Sequence, residues 1–136
     1  MAKVTIIEEF SASAEQTWNL IGGFNALPDW HPAVEQSQLE ADGSIRKVTL
    51  GDGTTILEKL EHHSDESREC RYSIVESPLP VVNYLATLEV SALGEGSQVE
   101  WSGQFEPSGV SESEAVGLVE GIYRDGLDNL KKLLDH

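Results

Sequence analysis

Basic residues are scarce in this chain: nine Lys and Arg stand against 24 Asp and Glu, a formal net charge of −15. Phosphate backbones and anionic lipid surfaces are repelled by most of the surface such a chain can form, so nucleic acid is not expected as a partner. The same acidity also serves solubility. Cysteine is nearly absent. The single Cys70 cannot make an intramolecular disulfide, which suits a reducing cytosol. Its neighbours Glu69 and Arg71 would point away from it in a strand, which favours a buried filler over a nucleophile. No apolar run approaches the ~20 residues of a membrane span. Met1-Ala2-Lys3 leads straight into alternating residues, without the apolar stretch of a secretory signal. The expectation is a cytoplasmic protein without stable membrane insertion, monomeric or a weak homodimer.

Metal and nucleotide motifs are missing as well. His62 and His63 are adjacent in a strand-like segment and so point to opposite faces, and His136 is terminal; with no HxH, HExxH or Cys/His cluster, neither metal nor cofactor is expected. There is no phosphate-binding glycine loop, no dinucleotide fingerprint and no GxSxG nucleophile elbow. Gly94-Glu95-Gly96-Ser97 reads as a hairpin turn, because no helical pattern follows it.

What is present is a regular succession of elements. At 136 residues the chain is long enough for one core and short for two, so residues 1–136 read as a single domain without a linker. Lys3 to Phe10 alternates, with Val4, Ile6 and Phe10 on one side. Ser13 and Gln16 form a capping box for a short helix that buries Trp18, Leu20 and Ile21 and stops at Gly22-Gly23. Asn25 can cap a second short turn ending at Pro28. From Val34 to Glu106 six strand-like runs are separated by turn residues: Ala41-Asp42-Gly43, Gly51-Asp52-Gly53, Ser64 to Ser67, Ser77 to Pro80, and Gly94 to Ser97. Ser111 and Glu114 then open a helix of about 24 residues, ~36 Å long. Its wide apolar face includes Leu118, Val119, Ile122, Tyr123, Leu127, Leu130 and Leu133. Gly117, Gly121 and Gly126 interrupt that helix at roughly 1 kcal/mol each, which suggests a close approach to the sheet or to something held against it.

A strand, two short helices, six antiparallel strands and a long terminal helix is the order of the α+β helix-grip fold, a seven-stranded antiparallel sheet wrapped around the last helix. The chain resembles the START/Bet v 1-like superfamily (SRPBCC), and within it the polyketide cyclase/dehydrase-like group. The resemblance covers the whole chain and is carried by Thr17 to Phe24, Leu27 to Pro32, Leu79 to Thr87 and Tyr123 to Leu127. It implies a hydrophobic ligand held between sheet and helix. Members include ligand carriers, receptors and aromatase/cyclases.

Alternation places Arg46, Val48 and Leu50 on the inner face with Ile56, Glu58 and Leu60, then Cys70, Tyr72 and Ile74, then Val82, Tyr84, Ala86 and Leu88, and finally Val99, Trp101 and Phe105. Counted back from the Gly51-Asp52-Gly53 turn, Arg46 and Glu58 fall close to cross-strand or diagonal neighbours. They form the polar end of a cavity in this register, and a surface pair if it slips by one. Tyr72, Tyr84 and Trp101 offer an apolar wall with three hydrogen-bonding tips, or plain core packing. Trp30 is expected over the cavity mouth, with His31 bonding a backbone carbonyl or acting as an acid or base. The candidate ligand residues are thus Trp30, Arg46, Glu58, Tyr72, Tyr84 and Trp101, with no catalytic residue assigned. Three functions remain open: carriage of a small hydrophobic molecule, cyclase/aromatase chemistry in the same cavity, and a partner-interaction or stress role should the cavity be collapsed.

Overall fold

The computed structural model describes residues 2–135. The free terminus expected at His136 lies outside them. The strands are β1 (Ala2–Phe10), β2 (Val34–Glu40), β3 (Ile45–Leu50), β4 (Thr55–Ser64), β5 (Glu69–Glu76), β6 (Val81–Leu93) and β7 (Gly96–Pro107), and the helices are α1 (Ala14–Ile21) and α2 (Glu112–Leu134). All neighbouring strands are antiparallel, in the order β1-β7-β6-β5-β4-β3-β2. This is the helix-grip fold. Its second short helix is a single 3-10 turn, Leu27–Asp29, which has no side-chain cap. Asn25 instead accepts from the Ser37 hydroxyl at 2.6 Å.

The core follows from two periodicities. Along β1 from Ala2 to Ile6 and along β7 from Ser97 to Phe105 every second residue is buried, as a sheet with one covered face requires. Along α2, Ala115, Val119, Tyr123, Leu127 and Leu130 recur every three or four residues and are each at most 1 % exposed. Each large side chain among them contributes about 1.5–3 kcal/mol by leaving water. The buried stripe is narrower than the apolar pattern, for Leu118 and Leu133 face solvent and Ile122 is only partly covered.

Side-chain bonds fix the helices to the sheet. Ser13 and Gln16 close both halves of the capping box of α1. Thr17 bonds Ser97 at 2.8 Å in the core, and Trp18 Nε1 donates to Asp65 at 2.9 Å. His63 Nε2 reaches the Gly22 carbonyl at 2.7 Å. The far end of α2 is held to β1 and the residue after it: Lys131 donates to Glu8 and to the Glu9 carbonyl, and Asp135 accepts from Ser11.

Simple alternation fails in β6. Asn83 has φ 55° and the β6–β7 register shifts between Val82 and Leu85, a bulge in which Asn83 and Tyr84 share one partner position. The extra residue turns Val82 outward, at 46 % exposure, and puts Val81 in the core, which corrects the inner-face placement of Val82.

Candidate ligand-binding site

Between the concave face of the sheet and the first half of α2 lies a cavity of about 70 Å³. Val48 and Ile56 form its sheet wall, Val119 and Ile122 its helix wall, Leu79 of the β5–β6 loop its rim, and Glu58 its charged group. A second void of about 10 Å³ lies deeper, toward α1, with Trp30, Arg46 and Cys70 among its walls. The two voids share Leu27, Tyr72 and Trp101 as walls. Liquid water occupies ~30 Å³ per molecule and drug-sized ligands sit in ~300–1,000 Å³, so the space in this conformation suits a very compact occupant.

Arg46 and Glu58 are direct cross-strand partners, 4 % and 8 % exposed. Arg46 Nε donates to Glu58 Oε1 at 2.7 Å and Nη1 to the Phe24 carbonyl at 2.5 Å. The guanidinium lies between two rings, 4.5 Å from the centroid of Phe24 and 4.8 Å from that of Tyr72. Burial is the largest single influence and works against its charge, but Glu58, by charge and by hydrogen bond, together with Tyr72 and Cys70 outweighs it, and the Arg46 pKa stands above its ordinary value. A cation stacked on two aromatic faces and bonded twice is one of the few ways to keep an ion pair inside a core. Glu58 spends one oxygen on Arg46, and a carboxylate has about four acceptor positions, so it keeps acceptor capacity toward the cavity.

The aromatic tips bond one another. Trp101 Nε1 donates to the Tyr72 hydroxyl at 3.1 Å, and the hydroxyls of Tyr84 and Tyr123 are joined. Tyr123 stacks on Trp101 with centroids 4.3 Å apart and planes at 15°. Burial raises the phenol pKa of Tyr72, Tyr84 and Tyr123 and lifts the Cys70 thiol to about 11. All four stay protonated near neutrality. The cluster is partly wall and partly packing: Tyr72, Tyr84 and Trp101 border the larger cavity, while their polar ends are mostly engaged with each other.

Trp30 is not at the mouth. It is 2 % exposed, its ring centroid lies 5.4 Å from that of Trp101, and its carbonyl accepts from Asn129 of α2 at 2.8 Å. Gly126 makes this possible: a Cβ there would stand 2.7 Å from His31, 2.9 Å from Trp101 and 3.1 Å from Trp30. The notch lets three rings meet the helix. At Gly117 and Gly121 an added Cβ would meet nothing within 4 Å, so close approach explains one of the three helical glycines and not the other two.

His31 is held as a neutral ring. Its Nδ1 accepts from the Ala33 N–H at 3.2 Å, which leaves the proton on Nε2 to be donated to the Ile122 carbonyl at 2.8 Å. Burial lowers its pKa, against smaller upward effects of the Ile122 carbonyl and Asp125. Both nitrogens are used structurally, as the carbonyl-bonding alternative for this residue anticipated.

Tyr123, Val119, Ile122 and Leu79 were not among the candidate residues. Tyr123 could have been found from Gly103: the tyrosine hydroxyl lies where a Cβ on that strand glycine would be, and a glycine inside a strand marks close approach of another group.

Among the described residues no helix is long and apolar enough to cross a membrane, and no cluster of three His, Cys, Asp or Glu could hold a metal ion. No curated protein matches the chain. Among solved structures, the protein XoxI from Bacillus cereus is 46 % identical over 100 % of this chain and 99 % of its own, with a TM-score of 0.97. A START superfamily protein from Mycobacterium smegmatis shares the fold at 15 % identity and a TM-score of 0.83, covering 98 % of this chain and 97 % of its own. The Zhui aromatase/cyclase from Streptomyces sp. R1128 does so at 16 % and 0.78, covering 98 % and 92 %. The family described as polyketide cyclase/dehydrase and lipid transport matches residues 1–135; with the helix-grip topology and the cavity already evident, the chain belongs to that family.

Proposed function

We propose that this protein binds a small, largely apolar molecule between the sheet and α2, with the Arg46–Glu58 pair as the polar end of the site. The observation that carries the reading is an apolar void in the core with one carboxylate on its wall. A core built only for packing would close such a space, since an unfilled void loses dispersion contacts on every side. The small volume supports a compact ligand, about one ring in size. A longer chain would require α2 and the Leu79 loop to move apart. It also bears on the interaction-domain alternative, against which the charged group on the cavity wall weighs most.

Cyclase chemistry has less support. It needs an acid and a base converging on the substrate, whereas His31 has both nitrogens engaged, the phenols are held protonated, and Glu58 is tied to Arg46.

Native mass spectrometry of the protein as purified, followed by a thermal-shift screen of fatty acids, isoprenoids and one- to three-ring aromatics, tests the reading. A ligand at 100 times its Kd adds ~2.7 kcal/mol, a shift of several degrees for a domain of this size. No bound mass, no shift in any class and unchanged tryptophan fluorescence would overturn it.

A further inference from the structure

The indole N–H of Trp30 is the one buried side-chain polar atom among the described residues without a hydrogen-bond partner. A buried donor without a partner loses its hydration with nothing in return, and such orphans call for an explanation. Its surroundings supply one. The Cζ3 corner of the ring faces Gly126 of α2, so Nε1, diagonally across the indole, faces away from the helix. Trp30 and Arg46 both line the deeper void. Arg46 has five N–H donors, and Glu58 and the Phe24 carbonyl account for two of them. Apart from the weakly polar Cys70 and the Tyr72 hydroxyl, the polar side chains of the deeper void are therefore donors. The larger cavity has the acceptor Glu58 on its wall, beside His31, Tyr72, Tyr84 and Trp101, whose polar atoms are already bonded. The hydrogen-bonded Tyr72–Trp101 pair and Leu27 line both voids, and the Arg46–Glu58 bond reaches from one to the other.

We propose that Trp30 Nε1 is a carbonyl-recognising donor, and that the ligand is a compact aromatic carrying a carbonyl oxygen at the end near Trp30 and Arg46 and a hydroxyl at the end near Glu58. This rests on the reading that the cavity binds a small molecule. The ligand oxygen accepts from the idle indole N–H and its hydroxyl donates to the carboxylate, so both unmet capacities are met by one neutral molecule. Displacing the Tyr72–Trp101 pair joins the two voids.

The test uses the intact protein and four single-ring probes: ethylbenzene, phenol, acetophenone and 4′-hydroxyacetophenone. The ¹H–¹⁵N indole resonances of the three tryptophans and the methyl resonances of Val48, Val119 and Ile122 are followed during titration. All four probes are expected to shift the methyls. Only the two ketones should move the Trp30 indole resonance, and 4′-hydroxyacetophenone should bind tightest. Trp30→Phe should weaken the ketones about tenfold while leaving ethylbenzene and phenol within about twofold. The indole resonance needs no substitution, so the test survives a variant that folds poorly. If acetophenone and its carbonyl-free isostere ethylbenzene bind equally with the Trp30 resonance unmoved, the N–H is idle or met by water and the inference fails while the binding reading stands. If no probe shifts any cavity methyl, both fall together.

Discussion

Arg46 and Glu58 face each other across the β3–β4 pair with Nε and Oε1 2.7 Å apart, and neither is more than 8 % exposed. Removing one charge from such a pair strands the other. Glu58→Gln is expected to cost ~3 kcal/mol or more, whereas an exposed pair would lose under ~1 kcal/mol. The double variant Arg46→Met/Glu58→Leu should recover much of the loss. Urea denaturation of the three proteins checks this, and a silent Glu58→Gln would mean the pair is solvated.

The three glycines of α2 should separate sharply. Gly126→Ala forces a methyl against His31, Trp101 and Trp30 and is expected to destabilise by ~1–3 kcal/mol, as overpacking does. Gly117→Ala and Gly121→Ala enter open space and should each stabilise by ~0.5–1 kcal/mol through helix propensity. Thermal melts with opposite signs are the expected result.

His31 gives the fold a pH dependence of known sign. Its pKa is lowered in the fold, so in the window below the unfolded value of ~6.5 the unfolded chain binds more protons and stability is lost as the pH is lowered. The effect is fully absent above that value and grows until the folded pKa is reached. Subtracting the urea midpoints of His31→Gln from those of the parent between pH 7.5 and 5 should isolate this slope. A pH-independent difference would mean that the ring is not held neutral.

Leu130 is 0 % exposed, on the buried face of α2. Leu130→Asp buries an unpaired charge and is expected to unfold the protein. Leu133→Asp, three residues on at 41 % exposure, should melt within a few degrees of the parent. Circular dichroism at 222 nm distinguishes the two.

The legible parts of this fold are those in which local pattern and geometry coincide. The Gly51-Asp52-Gly53 turn and the apolar alternation were enough to set Arg46 and Glu58 on the same face as cross-strand or diagonal neighbours, and the structure makes them direct partners. Val82 was misplaced because one residue at Asn83 with positive φ reverses alternation without any glycine to announce it. Trp30 was misplaced for a different reason. Its depth depends on a notch at Gly126, almost a hundred residues away, and nothing in the Pro28 to Pro32 segment records that. Cavity volume was illegible altogether, since it is set by how Tyr72, Tyr84, Trp101 and Tyr123 turn toward one another. The donor and acceptor inventory could be read from composition; which donor goes unmatched could not.

The pairing of β1 with β7, Ala2 opposite Phe105 and Phe10 opposite Ser97, has a consequence for synthesis. Strands β2 to β7 form a meander in which each can pair with its predecessor as it emerges, but β1 is made first and must wait for the last strand. Until then Val4, Ile6 and Phe10 have no covered face, and the backbone of β1 is an unpaired edge of the kind that recruits other chains. A contact bridging nearly the whole polypeptide also slows the rate-limiting step, because the loop must close before the pairing can reward it. The segment made earliest is therefore the one exposed longest, and aggregation during expression should be governed by β1, whatever the stability of the finished protein.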